Sequence, residues 1–390
     1  MVKPLSFSRL PLIHFGQGKI SLLPGVAAVI GKSALVVTGI PTFPESPAGK
    51  KLFFSLEEKG IKMSFIDIES EPSPSIVDGV VTEFYTGKPD MVIAIGGGSA
   101  IDTGKAVSAM LPMGERVKDY LEGVGTKEHP GVKVPFIAVP TTAGTGSEAT
   151  KNAVISEVGR NGFKRSLRHE NFVPDVAIVD PLLTVSCPPD ITAASGMDCF
   201  TQLTEAYLST KANPFTDALA LEGIKAVKMS LLKACQNGED IEARAGMAFA
   251  ALTSGICLAN AGLGAVHGFA SSVGALYPVP HGVVCGTLMA KANEVTVKVL
   301  RETSSDSDAL YKYARLGELF LEEKNKTEDY YIDGFINFLH EMTEKLNIPL
   351  LRKFGVEPGD AGMICAATDI KNNPAKLSQE QMIEILISRI

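Results

Sequence analysis

The chain of 390 residues is long enough to form two domains with substantial hydrophobic cores. Its 45% hydrophobic and 21% charged residues are typical of a globular protein. The formal net charge of −7 and the sequence pI near 5.5 argue against nucleic acid or an anionic membrane as the main partner.

The first half of the chain alternates short apolar runs with amphipathic segments. We predict strands over residues 12–15, 34–38, 62–68, 91–95, 134–139 and 176–179. We predict helices that end near residue 31 and that cover residues 48–59, 75–85 and 100–110. Strands that alternate with helices predict a parallel α/β sheet with right-handed crossovers, and runs rich in Val and Ile are typical of buried parallel strands.

The pattern changes after the turn-rich SCPPD segment at residues 186–190. From residue 191 onward the chain shows long helical patterns and few β-branched runs. We therefore predict an α/β domain over residues 1–188 and an all-α domain over residues 189–390. The charge-free region 245–290 contains Gly, Ser, Asn, His and Pro throughout, so we interpret it as core helices rather than as a membrane span.

Two histidines lie in the charge-free stretch NAGLGAVHGFASSVGALYPVPHG, residues 260–282. Upstream, Asp198 and Gln202 are four residues apart and therefore share one face of a predicted helix. Together with His267 and His281, Asp198 could form a three-ligand site with an open position for a divalent transition metal. Alternatively, both histidines are core residues with ordinary hydrogen-bond partners, and Asp198 is a solvated helix residue.

Two segments rich in small residues follow predicted strands. The first, GGGS at residues 96–99, opens a helix, where backbone N–H groups can hold a pyrophosphate; Ser99 and Asp102 also fit a capping box. The second, PTTAGTGSE at residues 140–148, lies at the carboxyl end of a strand, where open α/β sheets bind ligands. Each segment could instead be a plain polar turn.

In chain order, the motifs GGGSAIDTGKA, VPTTAGTGSEAT, DVAIVDP, PPDITAASGMD and VHGFASSVGALYPVPHG closely resemble those of the iron-containing (group III) alcohol dehydrogenases. The resemblance extends from HFGQG near the start to NNPAKLSQEQ near the end. It implies an N-terminal dinucleotide-binding α/β domain, a helical metal- and substrate-binding domain, and a cleft between them. It also implies a homodimer.

The resemblance implies a role for individual residues. The motif positions imply that the cofactor is bound by Gly39, Gly97, Gly98, Ser99, Asp102, Thr141, Thr142, Thr145, Ser147 and Lys164. Asp198, His267 and His281 match three of the family's four metal ligands and are the catalytic candidates. Gln202 stands where the family has the fourth ligand, a histidine, and its amide carbonyl oxygen, a weaker ligand than imidazole, is the fourth predicted metal ligand. Ser271 replaces a further histidine near the substrate.

These expectations define an NAD(P)-dependent alcohol dehydrogenase or aldehyde reductase that uses Fe²⁺ or Zn²⁺ and a small alcohol or aldehyde. Gly39 stands where NAD-preferring members have an aspartate, which favours NADP. The alternatives are an enzyme like dehydroquinate synthase or glycerol dehydrogenase, and a metal-free nucleotide-binding relative. The six scattered cysteines without a C-x-x-C motif, and an N-terminus without an apolar signal segment, predict a cytoplasmic protein.

Overall fold

A computed structural model describes residues 4–39, 43–305 and 307–390 of the chain. Its N-terminal half is a six-stranded parallel sheet with helices on both faces, and its C-terminal half is built from helices. The predicted fold class, an α/β half followed by an all-α half, is confirmed.

The strands of the N-terminal half are β1 (Leu12–Phe15), β2 (Ser33–Thr38), β3 (Lys62–Asp67), β4 (Met91–Gly96), β5 (Phe136–Pro140), β6 (Asn152–Glu157), β7 (Phe163–Arg168) and β8 (Val176–Val179). Four helices accompany them: α1 (Leu23–Ile30), α2 (Pro47–Glu58), α3 (Pro74–Phe84) and α4 (Gly98–Met110). The sheet order is β1-β8-β5-β4-β2-β3, with all pairs parallel.

The four central strands, β8, β5, β4 and β2, are buried on both faces, which explains their apolar runs. Successive side chains of a strand point to opposite faces. In β4, Val92 and Ala94 therefore pack with α3 and α4 on one face, whereas Ile93 and Ile95 pack into the core of the other face. The β6–β7 pair is a separate antiparallel hairpin.

The C-terminal helices are α5 (Pro189–Leu208), α6 (Pro214–Gln236), α7 (Ile241–Ala261), α8 (Ala265–Leu276), α9 (His281–Thr303), α10 (Asp308–Leu321), α11 (Glu328–Lys345), α12 (Ala361–Ala366) and α13 (Gln379–Ile387). They share one large apolar core. Helix α7 is long and apolar enough to cross a membrane by length and composition alone, but 67% of its most apolar window is buried inside the protein. This supports our interpretation of region 245–290 as core helices.

Two local predictions need correction, and one element was missed. The capping box of Ser99 and Asp102 is wrong, because α4 begins earlier, with Gly97 at the N-cap, and no side chain caps it. The strand predicted over residues 134–139 begins at Phe136 instead. The β6–β7 hairpin was not predicted at all.

The two halves meet at the loop that follows β5. Gly146 of this loop has a left-handed backbone conformation, with φ of 62°, and it lies against Gly255 of α7. A Cβ atom on Gly255 would lie 2.1 Å from the carbonyl oxygen of Gly146, and a Cβ atom on Gly146 would lie 2.5 Å from the backbone nitrogen of Gly255. Only glycine allows the two backbones to approach this closely.

A deep cleft runs between the two halves, and residues of both line it. Its volume is about 2770 Å³. Because a pocket for a drug-sized ligand measures roughly 300–1,000 Å³, this cleft has room for a dinucleotide and a small substrate together.

Candidate metal and cofactor site

Four side chains from three helices converge at one end of the cleft. Asp198 comes from α5, His267 from α8, and His281 and Cys285 from α9. One ligand atom of each residue lies within 4.8 Å of the corresponding atoms of the other three. The structure therefore brings the three sequence-predicted residues together and adds a thiol.

Asp198 Oδ1 is the acidic centre of this group. It lies 3.2 Å from His267 Nε2 and 3.5 Å from His281 Nε2. Burial alone would raise the pKa of the Asp198 carboxyl, but the two neighbouring imidazoles outweigh burial and lower it. Asp198 is therefore ionised at neutral pH and can act as a ligand to a cation.

A second carboxylate, that of Glu205, fixes the orientation of His267. Glu205 Oε2 lies 2.7 Å from His267 Nδ1 and accepts a hydrogen bond of 2.9 Å from the N–H of Gly264. Glu205 Oε1 accepts a hydrogen bond of 2.7 Å from the N–H of Val266. The imidazole thereby turns its Nε2 toward Asp198, in the manner of carboxylate–histidine–metal arrangements.

The electrostatics of the group suit a divalent cation. Burial lowers the pKa of His281 to about 4 despite the opposing charge of Asp198, so this imidazole is neutral and its lone pair is available to a metal. Burial also acts to lower the pKa of His267, but Cys285, Asp198 and Glu205 raise it well above its ordinary value. Two buried carboxylates thus attract positive charge to a place with imidazole and thiol donors, which fits a first-row divalent metal.

The thiol of Cys285 is buried in the same group. Burial raises its pKa to about 12, so the thiol carries its proton at neutral pH without a cation nearby. A coordinating thiol is deprotonated by its metal.

Gln202 is buried one helical turn from Asp198, as predicted. Its amide nitrogen donates to the carbonyl oxygen of Gly144 at 3.3 Å and to Ser254 Oγ at 3.4 Å. Gln202 thus ties α5 to the loop after β5 and to α7. Ser271 lines the cleft, and its hydroxyl donates a hydrogen bond of 3.0 Å to the carbonyl oxygen of His267, one turn earlier in α8.

The residues predicted to bind the cofactor line the other part of the cleft. Gly39, Gly97, Gly98, Ser99, Asp102, Thr141, Thr142, Thr145, Ser147 and Lys164 all lie along its wall. The loops after the neighbouring strands β4 and β5 touch here. A Cβ atom on Gly98 would lie 2.9 Å from Thr145 Cγ2, so glycine is required for this contact.

Two charged residues of this wall already have partners within the protein. Asp102 Oδ2 accepts from the N–H of Val154, which ties α4 to the hairpin, and Asp102 also lies 3.7 Å from Lys105 Nζ. Lys164 Nζ donates to both carboxylate oxygens of Glu71, at 2.8 and 2.7 Å. Any bound cofactor would meet the Glu71–Lys164 pair rather than an isolated lysine.

Sequence reasoning missed Glu205 and Cys285. Helical spacing would have found both. On α5, Asp198, Gln202 and Glu205 occupy positions i, i+4 and i+7. On α9, Cys285 lies four residues after His281. Each missed residue therefore shares a helix face with a predicted ligand.

Comparisons with known proteins agree with this geometry. The profile "Iron-containing alcohol dehydrogenase" matches residues 11–181, and the profile "Fe-containing alcohol dehydrogenase family, C-terminal" matches residues 192–390. The chain is 30% identical over 387 residues to the NADPH-dependent butanol dehydrogenase of Clostridium saccharobutylicum, covering 96% of this chain and 95% of the relative.

Two further proteins are similar. The chain is 38% identical over 276 residues to the NAD-dependent methanol dehydrogenase of Bacillus methanolicus, covering 70% of this chain and 71% of the relative. Among solved structures, 1,3-propanediol oxidoreductase superposes with a TM-score of 0.88 at 29% identity and covers 100% of both chains.

Proposed function

The chain belongs to the iron-containing alcohol dehydrogenase family, and from this premise we propose a role for each residue of the cleft in the reaction. The chain is an oxidoreductase that acts on CH–OH groups, an alcohol dehydrogenase that uses NAD(P) and a divalent metal. The family match does not favour the alternatives, a dehydroquinate synthase-like or glycerol dehydrogenase-like enzyme and a metal-free relative.

Asp198, His267 and His281 are proposed to hold the metal. The convergence of their ligand atoms at one end of the cleft is the observation that carries this assignment. When bound, the metal supplies Lewis-acid polarisation of the substrate oxygen, and the nicotinamide exchanges the hydride. Glu205 fixes the ring of His267, and Asp198 supplies the negative charge that holds the cation.

The cofactor is proposed to lie along the rest of the cleft. Gly97, Gly98 and Ser99 present backbone N–H groups at the start of α4, where a pyrophosphate is stabilised. Thr141, Thr142, Thr145 and Ser147 offer hydroxyls from the neighbouring loop, and Asp102 and Lys164 lie beside them. The start of α5 at Pro189 supports the division into a cofactor domain, 1–188, and a metal and substrate domain, 189–390.

We propose a small primary alcohol, or its aldehyde, as substrate. The names of the butanol, methanol and propanediol enzymes support this class. The butanol dehydrogenase is NADPH-dependent and the methanol dehydrogenase is NAD-dependent. Gly39 supports NADP for this chain, because the position carries no carboxylate that would repel the 2′-phosphate of NADP.

We further propose a cytoplasmic homodimer. The six cysteines are free thiols, as expected in a reducing compartment. Strand β1 lies at the edge of the sheet, and Leu12 in it is 60% exposed, with Leu5, Phe7 and Leu10 exposed just before it. An exposed apolar edge strand is a surface that a second copy can cover.

The experiment measures metal content and NADPH oxidation against a panel of small aldehydes. The wild-type protein is expected to contain about one divalent metal per chain, and His267→Ala should lose both metal and turnover. The control is His340→Ala, which removes a surface histidine paired with Glu294 and should retain both. Metal-free wild-type protein with full turnover would contradict the proposal.

A further inference from the structure

We propose that Cys285 is the fourth protein ligand of the metal and that the resulting Asp–His–His–Cys site takes zinc in preference to iron. This inference rests on the proposed function only in that a divalent metal must occupy the site. It differs from the assignment of Gln202 as fourth ligand.

Four of the six distances between the donor atoms are close to the edges of a coordination tetrahedron, and all six are within 4.8 Å. Cys285 Sγ lies 3.6 Å from His267 Nε2 and 3.7 Å from His281 Nε2. The two imidazole nitrogens lie 3.2 and 3.5 Å from Asp198 Oδ1. Zinc bonds of about 2.3 Å to sulfur and about 2.0–2.2 Å to nitrogen and oxygen give tetrahedral edges of about 3.5 Å for S···N and about 3.4 Å for N···O.

The helix geometry explains why the thiol is aimed at this point. Cys285 lies one turn after His281 on α9, so both side chains project from the same face of that helix. The thiol is buried, and its hydrogen-bond partners, His267 Nε2 and His281 Nε2, both belong to proposed metal ligands.

The donor set determines which metal is favoured. A thiolate is a soft ligand that favours zinc, whereas imidazole serves zinc and iron alike. Replacing the family's third imidazole with Cys285 therefore shifts the preference toward zinc. Cys285 would hold a divalent metal as a thiolate, so its proton would pass to solvent when the metal binds. Zinc can expand from four to five ligands, which leaves a position for the substrate oxygen.

The test uses metal-depleted full-length protein titrated with Co²⁺, which reports sulfur ligands by a charge-transfer absorption in the near ultraviolet. The wild-type protein should show this absorption, and Cys285→Ser should bind Co²⁺ without it. Cys187→Ser is the matched control, because Cys187 also lines the cleft but is not among the four clustered residues, and it should keep the absorption.

Chelator competition with Zn²⁺ and Fe²⁺ completes the test. Because most N/O/S sites bind Zn²⁺ more tightly than Fe²⁺, the informative quantity is the change on mutation. Cys285→Ser should lose at least about tenfold in zinc affinity, the scale by which changes around a metal alter binding, and should lose less in iron affinity. Gln202→Ala should leave zinc affinity unchanged.

Two results would overturn the inference: a wild-type cobalt spectrum without the sulfur absorption, or a loss of zinc affinity in Gln202→Ala but not in Cys285→Ser. The wild-type spectrum decides the matter even if Cys285→Ser does not fold. A protein that binds metal without using Cys285 refutes this inference alone, whereas a protein that binds no metal refutes the proposed function as well.

Discussion

Replacing Glu205 with Gln should weaken metal binding without removing any proposed ligand. The Glu205 carboxylate accepts from His267 Nδ1 and from the backbone N–H groups of Gly264 and Val266. A glutamine keeps one acceptor oxygen and turns an NH₂ group toward at least one of these donors. Hydrogen bonds to a charged group contribute about 1.5–3 kcal/mol, and residues that orient a ligand change metal affinity by about 10–100-fold.

We therefore expect Glu205→Gln to lower zinc affinity by about 10–100-fold, which corresponds to about 1.4–2.8 kcal/mol. Chelator competition measures the affinity, and thermal unfolding of the metal-free protein checks that the variant folds. Glu294→Gln is the matched control, because Glu294 also pairs with a histidine, His340, but on the surface. If Glu205→Gln binds zinc as tightly as wild type, or if Glu294→Gln loses as much affinity, the positioning role is refuted.

Three further perturbations test other parts of the molecule. A Cβ atom on Gly39 would lie 2.9 Å from Ala100 Cβ, so Gly39→Asp should be built together with Ala100→Gly. This double variant should lower the NADPH-to-NADH ratio of kcat/KM relative to Ala100→Gly alone, and an unchanged ratio would contradict the role of Gly39. Burial raises the pKa of Glu148 from 4.5 to about 7, so the folded state holds this proton more tightly than the unfolded state. The free energy of unfolding should fall by about 3 kcal/mol as the pH rises from about 4.5 to 7. Glu148→Gln should flatten the dependence of Tm on pH in that window, and a variant curve parallel to the wild-type curve would contradict this. Finally, Gln202→His in a Cys285→Ser background should raise metal affinity about 10–100-fold, and no gain in chelator competition would mean that position 202 does not reach the metal.

The sequence predicted the sheet well because its central strands are buried on both faces. Such strands are continuous apolar runs, as in MVIAI of β4, and their alternation with helices along the chain leaves few alternative folds. The β6–β7 hairpin was missed for the opposite reason. Its strands, NAVISE and FKRSLR, contain many polar residues and bury few apolar ones, namely Ala153, Ile155 and Leu167. Tertiary packing against α4 and α8 determines them rather than local pattern.

The candidate site divides in a similar way. Asp198, His267 and His281 could be predicted because they stand in long motifs with few other titratable residues. Cys285 was missed although it lies one helical turn after His281, because a thiol within the apolar run VVCG is typical of an ordinary core residue. Its proximity to His267 depends on how α8 and α9 cross, which no local pattern encodes.

The backbone contact between Gly146 and Gly255 also constrains how the enzyme can move. At this point the two backbones are in van der Waals contact with no side chain between them, so we expect closing of the cleft to rotate about the contact rather than slide across it. The contact would therefore be the pivot of that rotation. Side chains near it travel little during rotation, whereas those at the far rim of the cleft travel most. A bulkier residue at either position would push the two halves of the protein apart. We expect this to slow cofactor binding more than it alters the metal centre.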